Sequence, residues 1–153
     1  MAWGYGDVGY GAHRTAEMLS HPDSLNNIRQ IVESTQEQGP AAGWHALLST
    51  NSIPGLGMSF GTKVLYFAGY GGQHSPRALI LDDRVRWSLY DLARGTVPPP
   101  GRRVQERHYM AYLELAEHWA ADPKWEQEAD VIEYGLFELN GRYPIDVVIP
   151  SCR

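Results

Sequence analysis

The chain has 153 residues, 43% hydrophobic and 20% charged, which fits a single domain with a sizeable core over 1–153 and excludes a disordered chain. No stretch reaches the roughly 18 apolar residues of a membrane span and the N-terminus lacks a basic-then-apolar signal pattern, so no membrane partner and an intracellular location, cytoplasmic or nucleoid-associated, are expected. The net charge of −5 and the single cysteine, Cys152, argue against a uniformly basic nucleic-acid binder, a disulfide framework and a four-cysteine iron–sulfur cluster.

In chain order the pattern is helical. The opening Trp3 to Gly11 is too glycine-rich for a helix interior and reads as a loop. A helix is expected from about His13 to Ser20, stopped by His21-Pro22. Asp23 or Ser24 can cap the next, with Leu25, Ile28 and Ile31 or Val32 at helical spacing as far as Gly39. Pro40 suits the first turn of a short helix to Leu48, and a turn from Ser49 to Gly57 leads into a helix from about Met58 to Tyr70. After Gly71-Gly72, a helix is expected from Asp82 to Ala93. Gly95 to Gly101, with Pro98, Pro99 and Pro100, reads as an extended loop. Two further helices, Val104 to Ala120 and Pro123 to Leu139, precede an extended tail over Tyr143 to Pro150.

Charge is unevenly spread along these elements. From Met58 to Met110 eight basic residues face four acidic ones, whereas from Ala111 to Asn140 eight acidic residues face Lys124 alone. A basic middle beside an acidic flank is compatible with one DNA-facing surface and one solvated or protein-partner-facing surface. The six histidines show no metal-ligand spacing, so no metal is expected.

The chemistry-bearing residues cluster in the segment about 49–94. In Ile53-Pro54-Gly55-Leu56-Gly57 the two glycines allow a close backbone approach before a helix, where free N–H groups suit a phosphate. Lys63, one of only two lysines in the chain, follows this hairpin, with Tyr66, Phe67 and Tyr70 at helical spacing along an aromatic stripe. Asp82 follows Lys63 by nineteen residues, at the end of the apolar run Leu79-Ile80-Leu81. Either Asp82 or Asp83 can cap the helix that starts there.

Gly61-Thr62-Lys63-Val64, followed by Leu79-Ile80-Leu81-Asp82-Asp83-Arg84-Val85, resembles the helix-hairpin-helix DNA glycosylase superfamily, in its 8-oxoguanine DNA glycosylase-like branch. The resemblance covers roughly residues 40 to 140. It implies an all-α, helix-hairpin-helix glycosylase-like domain with an abbreviated N-terminal lobe and no sheet domain. It also implies removal of an oxidised purine such as 8-oxoguanine from duplex DNA, with the base flipped out. Lys63 becomes the Schiff-base nucleophile of a bifunctional glycosylase and abasic-site lyase, and Asp82, rather than Asp83, the catalytic carboxylate. No cofactor is implied. Gly55, Gly57, Gly61 and Arg84 fall on the DNA-backbone side.

The late segment Ile132-Glu133-Tyr134-Gly135-Leu136-Phe137 resembles the helix that reads the flipped base, which maps Glu133 and Phe137 onto the base pocket beside Phe67. Three departures stand out. Five residues separate Gly57 from Lys63, which demands an extra helical turn or an elongated hairpin. Glu133 stands where the family has glutamine, and Phe67 where the 8-oxoguanine enzyme has a smaller residue. Three alternatives stay open: a lysine-dependent glycosylase for another modified base, a non-catalytic helix-hairpin-helix DNA-binding module, and a purely structural helical protein whose acidic C-terminal half binds a protein partner.

Overall fold

In the computed structural model, residues 10–125 and 127–140 are described, and among them all regular structure is helical. The elements are α1 (Tyr10–Ser20), α2 (Ser24–Gln38), α3 (Pro40–His45), α4 (Met58–Gly69), α5 (Asp83–Leu92), α6 (Glu106–Ala120) and α7 (Ala129–Leu139). The expected all-α class holds. Readings that fell on the opening glycine-rich segment before residue 10 and on the tail after residue 140 lie outside the described residues.

The short helices end for local reasons. Pro40 opens α3 at a position where its missing N–H is not needed, and α3 runs into a π turn, Ala46–Thr50, closed by the Asn51 N–H to Ala46 O bond of 2.8 Å. Asp23 caps α2 by position but makes no side-chain cap bond. Ser24 is buried instead, and its hydroxyl donates to Met18 O at 2.7 Å, tying α2 to α1. Leu25, expected on the apolar face, is 70% exposed, and the face that packs runs through Ile28 and Ile31.

The expected helix from Pro123 to Leu139 is broken. Pro123–Trp125 forms one 3₁₀ turn, and Gln127 then takes φ +60°, a left-handed conformation that cannot continue a helix, so α7 starts afresh at Ala129. Likewise α6 starts at Glu106 rather than Val104, where the His108 ring accepts the Gln105 N–H at 3.1 Å. Between α5 and α6 the proline loop is held from within by Arg86. This buried guanidinium donates to Pro98 O at 3.2 Å, Pro99 O at 2.5 Å and Arg102 O at 2.8 Å, and pairs with Asp83 at 3.1 Å.

One apolar core joins these elements. Ile31, Leu47, Leu65, Leu79, Leu81, Val85, Leu89 and Leu113 are fully buried, and Trp44 of α3 stacks on Tyr109 of α6 with ring centroids 4.6 Å apart. Close approach of α4 to the π turn depends on Gly61, because a Cβ there would meet Leu47 Cδ2 at 2.4 Å.

The segment from Ser75 to Leu81 crosses this core without belonging to a helix. Ala78 to Leu81 are all buried, so their backbone groups need partners from side chains. Tyr109 Oη donates to Leu79 O at 2.9 Å and Tyr112 Oη to Ile80 O at 3.1 Å. The Leu81 N–H donates to Thr62 Oγ1 at 3.0 Å, and the Ile80 amide faces the Glu133 carboxyl. Upstream, Glu117 accepts from the Ser75 hydroxyl at 2.9 Å and from the Arg77 N–H at 3.2 Å. Thr62→Val keeps the shape but leaves the Leu81 N–H unpaired in the core, so chemical denaturation should show a loss of about 1–3 kcal/mol. An unchanged unfolding midpoint would mean that this bond does not hold the segment.

Candidate active site

Two segments carry the candidate chemistry, and one hydrogen bond ties them together. Thr62 directly precedes Lys63 on α4, Leu81 directly precedes Asp82, and the Leu81 N–H to Thr62 Oγ1 bond joins the two positions. Lys63 is the sixth residue of α4, which begins at Met58, so the extra residues after Gly57 form helix and carry the lysine into the second turn. Its Nζ lies 4.9 Å from the centroid of Phe60, one turn back. The expected stripe is more open: Phe67 is 68% exposed and packs edge-on against Tyr66, and Tyr70 is exposed as well.

Asp82 is the N-cap of α5, and its Oδ1 accepts the Val85 N–H at 3.0 Å, which fixes the carboxylate at the head of the helix. Asp83 points elsewhere, exposed and paired with Arg86. Of the two adjacent acids, Asp82 is the one on the site side.

Glu133 of α7 completes the cluster. Burial pushes its carboxyl up to about 7, the Asp82 and Asp130 carboxylates push the same way, and the Ile80 N–H and the Lys63 ammonium oppose them. Lys63, Asp82 and Glu133, drawn from three helices, thus share one electrostatic neighbourhood. Behind them Asp130 accepts from Tyr66 Oη at 3.2 Å and pairs with Arg77 at 3.0 Å, while Arg77 also reaches Glu128. Burial, followed by the Asp130 charge, pushes the Tyr66 phenol up to about 12, so it remains a hydrogen-bond donor.

The acidic flank is therefore not only a solvated or partner-facing surface. Glu117, Asp130 and Glu133, with Glu128 at the surface, hold the Ser75 to Leu81 segment and its arginine.

The remaining candidates separate. Gly55 is exposed with φ +85°, and Gly57 is the exposed N-cap of α4, so the hairpin presents backbone to solvent. Gly61 is buried against Leu47, and its N–H bonds Gly57 O at 2.8 Å, which places it in the packing of α4. Arg84 and Phe137 lie against each other, the guanidinium carbon 4.0 Å from the ring centroid. A feature not foreseen as part of the site lies beside the start of α4. There a hollow of about 470 Å³ is lined by Met58, Arg86, Arg102 and Arg103 among others, which sets two exposed arginines near the hairpin.

The raised Glu133 carboxyl makes stability pH-dependent with a definite sign. The folded chain holds this proton more tightly than the unfolded chain, so the contribution is complete below the unfolded value of 4.5 and is lost as pH rises through about 7. Glu133→Gln keeps an acceptor for the Ile80 N–H without the charge. The variant should gain stability relative to the parent between pH 5 and pH 8, by about 2 kcal/mol at the upper end. A difference that stays flat with pH, in paired denaturation curves, would show that the carboxyl is not buried in this way.

A family model matches residues 1–137, well over half of the chain, and the match takes in Lys63, Asp82, Arg84, Glu133 and Phe137. Comparison with curated proteins and with solved structures finds no match. By that match the chain belongs to the OGG family, described as "Putative 8-oxoguanine DNA glycosylase OGG-like protein".

Proposed function

We propose that this member of a DNA glycosylase family is a base-excision enzyme with lysine-dependent lyase activity, acting on an oxidised purine such as 8-oxoguanine in duplex DNA. The observation that carries the reading is the Thr62 to Leu81 hydrogen bond, which couples the position of Lys63 to that of Asp82. A phosphate-binding hairpin alone needs neither residue. The target nucleotide is flipped out of the duplex at a cost of a few kcal/mol, offset by contacts to the DNA backbone. The exposed Gly55 and Gly57 backbone and the arginines beside α4 are suited to those contacts.

Asp82 then stabilises positive charge that develops on the sugar as the bond from C1′ to the base nitrogen breaks. The bonding pair leaves with the base, which takes up a proton. The neutral amine of Lys63 forms the new bond to C1′, and sugar ring opening with loss of the amine proton gives a Schiff base. Loss of a C2′ proton then expels the 3′ phosphate by β-elimination and cuts the strand.

Glu133 and Phe137 are the proposed base readers, four residues apart on one face of α7. With its carboxyl pushed up to about 7, Glu133 exists in both forms near neutrality: the neutral acid both donates and accepts, as an amide does, and the carboxylate only accepts. This departure from glutamine favours, as a second reading, a different modified base handled by the same lysine chemistry.

Two comparisons test the roles. Lys63→Gln should abolish strand cleavage while DNA binding stays within about tenfold, because the amine acts in chemistry and at most one phosphate-range charge is lost. Undiminished cleavage by the purified variant would remove Lys63 from the mechanism. Asp82→Asn keeps a competent helix cap but removes the charge, so its single-turnover rate should fall by orders of magnitude with little change in affinity. Asp83→Asn should be nearly silent, and the reverse order of the two rates would assign the catalytic carboxylate to Asp83.

A further inference from the structure

Two arginines stand two residues apart on α5 in opposite circumstances. Arg86 is buried and bonded to three backbone oxygens and to Asp83, as expected of an arginine that holds a loop. Arg84 lies with its guanidinium 4.0 Å from the centroid of Phe137, and its Nε is buried without a hydrogen-bond partner. A buried donor with no acceptor carries the desolvation cost of a hydrogen bond without its return. Such a side chain gains from any rearrangement that gives that N–H an oxygen.

The pair borders the candidate site. Arg84 is two residues past Asp82 in the first turn of α5, and Phe137 is one turn past Glu133 on α7. The two helices are locked together by the Ser88 hydroxyl, which donates to Leu136 O at 2.6 Å. A guanidinium is a flat, cationic plate, and on an aromatic ring it takes the place that a stacked nucleobase would take.

We propose that Arg84 is a placeholder for the flipped base: it covers the stacking face of Phe137 in the free protein, and base and guanidinium exchange places when the nucleotide enters. The displaced guanidinium finds its acceptor among the oxygens of the flanking phosphate. Arg84 is in this sense a positioning residue, since it decides when Phe137 is available. The inference rests on the base-excision reading above, and the test separates the two.

Binding is measured in the Lys63→Gln background, which prevents turnover, on three duplexes: one with 8-oxoguanine, one with a tetrahydrofuran abasic analogue, and one undamaged. Loss of a phosphate contact weakens the first two alike and cancels in their ratio, whereas removal of a placeholder favours only the duplex that has a base to stack. Arg84→Ala should raise the preference for 8-oxoguanine over the abasic analogue about three- to tenfold. Arg84→Lys, with a charge but no flat plate, should raise it by less.

An unchanged ratio with both affinities lowered would make Arg84 a phosphate contact only and overturn the proposal. A lowered ratio would mean that Arg84 stacks on the base itself, which also overturns it. Should Arg84→Ala fail to fold, as judged by its thermal midpoint, Arg84→Lys carries the same comparison. Equal affinity of the parent for all three duplexes would sink the base-excision reading, and the placeholder with it.

Discussion

A stretch of buried backbone outside any helix is the constraint on which this molecule turns. Residues 78–81 run through the core, where an unpaired N–H or C=O costs as much as a lost hydrogen bond, and among the described residues there is no strand to pair with them. Thr62 from α4 and Tyr109 and Tyr112 from α6 supply partners, and the Glu133 carboxyl of α7 faces the Ile80 amide. Because those side chains are fixed by the packing of their own helices, the segment is held in one register. Asp82 leaves its end already aimed at the head of α5. The same bonds that satisfy the backbone thus set the distance between the two residues on which the proposed chemistry rests.

Charge follows the same logic. Four acids of the C-terminal half are spent on Ser75, Arg77, Tyr66 and the Ile80 amide, so what looks in composition like an acidic surface is partly an internal scaffold. Burial, and then the nearby Asp82 and Asp130 charges, raise the cost of ionising Glu133, and the Lys63 ammonium is a counterweight.

Local signals made much of this legible from the chain alone. The hairpin glycines, the lysine beyond them and the aspartate at the end of an apolar run are all short-range patterns, and the helix boundaries around α4 and α5 followed from them. Proline at α3 and the doublet Asp82-Asp83 were read from capping rules, although only geometry distinguishes the capping acid from its exposed neighbour. What escaped depends on distant partners. Glu133 and Ile80 are 53 residues apart and Glu117 and Ser75 are 42 apart, so nothing in the local sequence marks those acids as inward-facing. Gly61 looked like hairpin chemistry because its packing partner, Leu47, lies on another element. The break before α7 falls at Gln127, a residue that seldom adopts a positive φ, with no glycine to announce it.

The central claim is that Lys63, tied to Asp82 through the bond between their neighbours Thr62 and Leu81, is the amine that bonds to the sugar. Its most direct test is peptide mapping of the covalent adduct that borohydride traps between the purified chain and a duplex bearing 8-oxoguanine. The chain offers two lysines, Lys63 and Lys124, and the latter is exposed on the turn before α7. An adduct confined to the peptide bearing Lys63 is the predicted result. An adduct on Lys124 or on the terminal amine, or release of the base with no adduct at all, would contradict the account.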